Sequence, residues 1–431
     1  MKKTIVVILV LLMLLTACAT KTDMETLDRT PYEEKAEEAA KRLLAGDAEE
    51  VYAEFSDTLA QQLPLEILTV QIQQLAALNA YVKTLDVTSQ TVDQYIVVDV
   101  FSELTSTNIN TRISYTTEGK ITGLYFANSP LTPALLPGEE EIQVGEHALA
   151  GRLMLPENDN APVVILIAGS GSHGMDGMLG KAGNAPLRDI ALGLQKQGIA
   201  TIRYDKRFYS NPQLAAQYPQ LTIQDEVLDD VDWIIENIST FKGIDPSRVY
   251  LLGHSLGGML VPDIATRHPQ IKGILSLAGS PRRLEVIMEE QLLAQVEAAD
   301  MTPEEKEAQR NSIQKEMESI RAGDEKSAPF GVPYSYWKSL ETSSAPAVIS
   351  SLTQPFFVLQ GTEDVQIYVD RDFEAWKDLL KDRDNVTFKL YDGLNHLFMK
   401  SVSDDPVVDY NTPNHVDEQV IGDIAQWILS H

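Results

Sequence analysis

Beyond residue 30 the apolar positions follow a helical rhythm first and a strand rhythm afterwards. Helical spacing covers residues 31–45, where Gly46 stops it, then 48–57, then 65–78 behind the helix-starting Pro64. Alternation takes over at 82–87, 95–104, 108–116 and 120–127, with Glu118-Gly119 as a hairpin turn between the last two. Helices first and a meander after predict a small α+β domain over 31–128.

A second rhythm starts after the proline-bearing stretch 129–140, which reads as a linker. A hairpin is expected at 141–144 and 148–155. Buried strands at 163–168, 200–203, 248–252, 273–278, 355–360 and 386–391 then alternate with helices such as 186–197 and 223–238. This is the signature of a mostly parallel sheet with right-handed crossovers, an α/β domain over 141–431. It is interrupted at about 281–354 by an insertion longer than an ordinary crossover. There Leu284, Met288, Leu292 and Val296 recur every four residues and give one apolar helical face, and a highly charged helical stretch follows at 301–321. Two readings of the insertion stand. One is a helical cap over the functional site, with Phe330, Tyr334, Tyr336 and Trp337 lining a pocket. The other is a set of surface helices on the sheet edge.

The first seventeen residues stand apart from both rhythms. Lys2-Lys3 precedes an uninterrupted apolar run from Ile5 to Leu15, too short to span a bilayer comfortably. It ends in Leu15-Thr16-Ala17-Cys18, which resembles the cleavage site of bacterial lipoproteins. Cys18 is the single cysteine of the chain, so it has no internal disulfide partner. The expectation is a signal peptide over 1–17, lipidation at Cys18, a polar tether over 18–30, and residence as a lipid-anchored protein on the extracytoplasmic face of the cell membrane. The net charge of −28 argues against nucleic acid and against adhesion to anionic headgroups, which leaves covalent lipid as the membrane contact.

The densest chemical signal is Gly253-His254-Ser255-Leu256-Gly257-Gly258, placed where a buried strand runs into a helix. A strand that ends in Gly-x-Ser-x-Gly is the layout of a nucleophile elbow. Such a serine needs a base and a carboxylate to orient that base, in the chain order serine, acid, histidine. Asp364 follows the strand 355–360, and His396 follows the strand 386–391, so all three sit at strand carboxyl ends, where such folds collect their chemistry. Glu363 competes with Asp364 for the acid role. The strand 163–168 ends in Gly169-Ser170-Gly171. Its Ser170 N–H, with that of Leu256, reads as an oxyanion hole; the other reading is a plain turn or a phosphate loop. No metal-ligand spacing and no cofactor motif is present, so a cofactor-free enzyme is expected.

At these residues the chain resembles the bacterial α/β-hydrolase carboxylesterases that join a catalytic domain to a small N-terminal domain of unknown function. The likeness covers about two thirds of the chain, from 141 to 431. It is carried by Arg203-Tyr204-Asp205-Lys206-Arg207, the elbow, Gly361-Thr362-Glu363-Asp364, Leu394-Asn395-His396-Leu397-Phe398 and His415-Val416-Asp417-Glu418. It implies an α/β-hydrolase fold and hydrolysis of small carboxylic esters, with Ser255, Asp364 and His396 at the triad positions. The helices-then-meander layout of 31–128 agrees with the extra domain and suggests a cone-shaped fold of the nuclear-transport-factor type. The chain departs from the family at Phe208 and at Ser172-His173-Gly174-Met175-Asp176, both near the expected substrate entrance. A peptidase of the same fold and a non-catalytic binding lipoprotein are the alternatives.

The remaining candidates are weighed by position. His254 should point away from the reacting serine, as the neighbour of a sharp turn does. His173 is read both as a substrate contact and as an ordinary loop residue. His268 is expected at the surface, and Asp205 with Arg207 as a pair bracing their loop.

Overall fold

The computed structural model describes residues 28–78, 80–104, 108–128, 135–180, 182–211, 214, 217–299, 301–403 and 405–431. The expected signal peptide, the lipidation residue Cys18, most of the 18–30 tether and much of the 129–140 linker lie outside the described residues. The chain divides into two compact units. One runs to Ala134 and takes in Leu179–Asn184, and the other comprises Leu135–Met178 and Ala185–His431.

In the first unit the helices Thr30–Leu44, Glu49–Tyr52, Asp57–Gln62 and Leu65–Leu78 precede four strands, Tyr81–Val92, Tyr95–Leu104, Asn108–Tyr115 and Ile121–Asn128. The strands form an antiparallel meander in chain order. Its inner face carries Ile96, Val98, Val100, Ile113 and Tyr115, which join Ala36, Ala40, Leu43, Leu59 and Leu68 of the helices in one core. The helix expected at 48–57 is broken. Ser56 donates its N–H to the Ile121 carbonyl at 2.7 Å, and its hydroxyl accepts from Leu59 N–H, so it ends one helix and caps the next.

The second unit is built on eight strands: β1 (Glu139–Val144), β2 (Leu149–Met154), β3 (Ala161–Ile167), β4 (Ala200–Tyr204), β5 (Ile244–His254), β6 (Gly273–Leu277), β7 (Phe356–Gly361) and β8 (Val386–Tyr391). Their spatial order is β8-β7-β6-β5-β3-β4-β2-β1. The hairpin β1-β2 and the pair β2-β4 are antiparallel, and the remaining neighbours are parallel. Strand β3 is buried along its whole length, as expected for a central parallel strand covered by helices on both faces. This order, with a helix directly behind β5, is the α/β-hydrolase fold.

The insertion folds as helices Leu284–Ala298, Pro303–Ala322, Tyr334–Thr342 and Ala345–Val348. Thr302 and Glu305 close a capping box on the second, and Gly323 ends it at φ 69°. The apolar face expected on the first helix is wider than four residues. Val296 is buried, but Ile287 and Glu285 are buried too, while Leu284, Met288 and Leu292 are only half-buried. Tyr336 and Trp337, expected to line a pocket, instead join the main core with Leu256 and Leu260, and Phe330 meets the Trp337 ring edge-on at 6.2 Å. The short helix Ala345–Val348 lies along the helix behind β5, so the insertion is docked on the α/β body.

Candidate active site

Strand β5 ends at His254, and the helix Leu256–Arg267 starts two residues later, which leaves Ser255 to make the whole turn. Its backbone is forced to φ 54° and ψ −117°, a region that side-chain-bearing residues avoid. The strain is held by close approach on both sides. A Cβ on Gly253 would lie 2.1 Å from the Gly257 backbone, and one on Gly257 would lie 2.4 Å from the Ile167 carbonyl oxygen. The serine N–H donates to Leu277 O at 2.8 Å, which ties the turn to β6. Ser255 is half-buried, and its hydroxyl makes no capping bond to the helix behind it.

Asp364 and His396 come together two and three strands further along the sheet, behind β7 and β8. His396 Nδ1 donates to Asp364 Oδ2 at 2.8 Å, with side-chain exposures of 3% and 0%. Asp364 is filled by donors: Oδ1 accepts from the Gln366 and Ile367 N–H groups at 2.8 and 3.0 Å, and Oδ2 also accepts from Gln360 Nε2 at 2.9 Å. Glu363 faces solvent, and Asp364 is the carboxylate bonded to His396. With Nδ1 committed to the carboxylate, His396 Nε2 is left as the basic nitrogen.

The turn that carries His396 is clamped by residues that sequence reasoning passed over. Asn395 Oδ1 accepts from the Leu397 and Met399 N–H groups at 3.0 and 3.2 Å, and its amide donates to the buried Asp409 at 2.6 Å. His254 Nε2 donates to the His396 carbonyl at 2.9 Å, and the two rings lie 4.7 Å apart. Burial, then the neighbouring His396, push the His254 imidazole down to about 3. It therefore stays neutral in the working range while its N–H holds the His396 carbonyl.

Gly169 lies close to Ser255, since a Cβ placed on it would be 3.2 Å from Ser255 Cβ. The next residues, Ser170 to Ser172, are exposed. Leu256 is the first residue of the helix, where the N–H has no partner within the helix itself. The imidazole of His173 is hydrogen-bonded to the backbone of Ser170 and Met178, and burial with the nearby Lys206 charge lowers its pKa. Its ring is engaged by its own loop.

Two expectations are corrected here, those for the Asp205–Arg207 pair and for His268. Asp205 and Arg207 do not pair with each other: Asp205 accepts from Met175 N–H at 2.7 Å, and Arg207 pairs with Asp230 at 2.7 and 3.1 Å. His268 is buried and bonded to Asp232 at 2.8 Å. Phe208 is set edge-on against Tyr218 at 5.9 Å.

Burial, opposed by the Met175 N–H, pushes the Asp205 carboxyl up to about 6 from its ordinary 3.8. The folded state then holds this proton more tightly than the unfolded chain. The contribution of this group to stability is fully present below pH 4 and is lost as pH rises through 6, about 3 kcal/mol in all. Asp205→Asn keeps an acceptor for Met175 but cannot ionise. Its melting temperature relative to the parent should climb between pH 4 and pH 7, by about 4 °C or more. A difference constant across that range would contradict the assignment.

The family model described as serine aminopeptidase, S33, matches residues 173–401. Esterase EstD of Thermotoga maritima is 32% identical over 328 residues, spanning 74% of this chain and 76% of its own. Among solved structures, Est1E from Butyrivibrio proteoclasticus covers 68% of this chain and 100% of its own, at 15% identity and a TM-score of 0.43. An esterase from Pyrococcus furiosus covers 70% and 96%, at 13% identity and a TM-score of 0.44. With more than half of its length matched by the family model, and a relative 32% identical across 74% of it, this chain belongs to the serine aminopeptidase S33 family of α/β-hydrolases.

Proposed function

We propose that the protein is a serine carboxylesterase acting on small carboxylic esters without a cofactor. The observation that carries this reading is the buried His396–Asp364 pair at 2.8 Å, in a sheet whose β5 ends in a strained Ser255. His396 Nε2 takes the proton of Ser255 Oγ as the oxygen attacks the ester carbonyl. The oxyanion that forms is held by the N–H groups of Ser170 and Leu256. His396 then gives the proton to the leaving alkoxide. A water, deprotonated by His396, attacks the acyl carbon and frees Ser255 and the acid. Asp364 holds the imidazole with Nδ1 protonated and stabilises the imidazolium. The esterase named among the relatives supports the ester as substrate.

The proposal includes a lipid tether at Cys18 that keeps the enzyme on the extracytoplasmic face of the membrane. It is supported by Lys2-Lys3, the apolar run from Ile5 to Leu15 and the single cysteine at 18.

A second reading is favoured by the family description, which names an aminopeptidase. A matched pair, p-nitrophenyl acetate and p-nitroacetanilide, separates the two. The ester should be cleaved at least 1,000-fold faster in kcat/KM, a gap of about 4 kcal/mol in transition-state stabilisation. Comparable rates on both would move the assignment to amide hydrolysis.

A further inference from the structure

One buried polar chain beside the elbow takes no part in the triad. Lys206 follows β4, and its Nζ donates to the Gly169 carbonyl at 2.9 Å and to Glu226 Oε1. The other oxygen of that carboxylate, Oε2, accepts from the Tyr336 hydroxyl. All three side chains are buried. Glu226 sits in a π-helical turn, Gln224–Leu228, where the backbone bulges to aim it inward. Tyr336 belongs to the insertion helix Tyr334–Thr342. That helix is clipped to the segment before Glu226 by two more bonds: Ser335 Oγ donates to Leu221 O at 2.8 Å, and Ile223 N–H donates to Ser339 Oγ at 2.9 Å.

The atom at the end of this chain is the informative one. The Gly169 carbonyl and the Ser170 N–H belong to one peptide unit. In a planar trans peptide these two groups point in opposite directions. A cation that holds the carbonyl on the body side therefore turns the N–H the other way, and by withdrawing charge it strengthens that N–H as a donor. Gly169 lies close to Ser255, since a Cβ placed on it would fall 3.2 Å from Ser255 Cβ, so this peptide unit is beside the elbow.

We propose that Lys206, Glu226 and Tyr336 are positioning residues that set the plane of the Gly169–Ser170 peptide, so that the insertion controls the oxyanion hole. The inference rests on the esterase reading above for its catalytic meaning, and on the hydrogen bonds alone for its structural meaning. Burial and the Glu226 charge hold the Tyr336 phenol well above its ordinary pKa, so it remains a donor at every working pH. Substrate that shifts the helix Tyr334–Thr342 pulls on Glu226 through Tyr336 and on the segment before it through Ser335 and Ser339, and through Lys206 on the hole.

The test is a double-mutant cycle on the full chain with p-nitrophenyl acetate. Lys206→Met should lower kcat about 100-fold, the loss expected for one misplaced oxyanion donor, with KM within about threefold of the parent. Tyr336→Phe, the milder change, should lower kcat by about tenfold or less. The two together should do no more than Lys206→Met alone, because Tyr336 acts only through Lys206. Losses that multiply, or Lys206→Met retaining more than a third of the parental kcat in a folded protein, would overturn the relay. The second readout is the Ser170 amide resonance in a 15N-serine spectrum, assigned with Ser170→Ala. Both variants should move it in the same direction, Lys206→Met further. An unmoved resonance in Lys206→Met would overturn the relay whether or not the enzyme turns over. A parent with no ester turnover, but with the resonance displaced as expected, would sink the esterase reading and leave the relay standing.

Discussion

Ser255→Ala leaves a folded protein whose ester turnover is lower by roughly a factor of 10⁶, close to the uncatalysed rate but for what binding and the oxyanion hole still contribute. The size follows from the role, because a nucleophile that is absent cannot be replaced by its base. The fold should survive because Ser255 contributes little besides its oxygen. Its hydroxyl caps nothing, and its strained backbone is fixed by the Gly253–Gly257 approach and by the N–H bond to Leu277, which alanine retains. The check is kcat/KM on p-nitrophenyl acetate beside a thermal melt. Turnover above a tenth of the parent in a protein with the parent's melting profile would remove Ser255 from the mechanism.

Asp364→Asn should cost about 10⁴-fold in kcat with little change in KM. Asp364 faces four donors: two backbone N–H groups on Oδ1, and Gln360 Nε2 and His396 Nδ1 on Oδ2. An asparagine offers one oxygen and one NH₂, so one side of the site must turn a donor towards donors. If the oxygen stays on the backbone side, the NH₂ meets His396 and favours the tautomer with its proton on Nε2, which cannot accept from Ser255. If the amide flips, two buried backbone N–H groups lose their acceptor, at about 1–3 kcal/mol each. Either arrangement damages the base, and the second also lowers the melting temperature. A variant within tenfold of the parental kcat would show that the imidazole is oriented by something else.

The proposed triad positions are each announced locally, by a run of apolar residues that ends in a loop. Val386–Tyr391 forms over the residues its apolar pattern marks, and His396 comes five residues later. The elbow was legible because Gly253 and Gly257 meet each other within the motif, although Gly257 is also confined by the distant Ile167 carbonyl. What escaped depends on partners distant in sequence. Lys206 and Glu226 are 20 residues apart, and Glu226 and Tyr336 are 110 apart. Nothing in the local pattern distinguishes that lysine from a solvated one. Asp205 and Arg207 looked like a pair because they are close along the chain. Each in fact bonds elsewhere, to Met175 and to Asp230. His268 fell on the wrong side of the surface because the Asp232 carboxylate that accommodates it lies 36 residues earlier. The insertion was legible as helices but not as core. Tyr336 and Trp337 carry polar tips, and they are buried in a core whose other members lie far along the chain.

The most direct test of the central claim is a fluorophosphonate probe applied to the purified protein, followed by digestion and mass mapping. One adduct is predicted, on the peptide that carries Ser255, and it should be absent from Ser255→Ala and strongly reduced in His396→Ala. No adduct on a protein shown to be folded, or an adduct mapped to another residue, would contradict an activated Ser255 and the acyl-enzyme mechanism built on it.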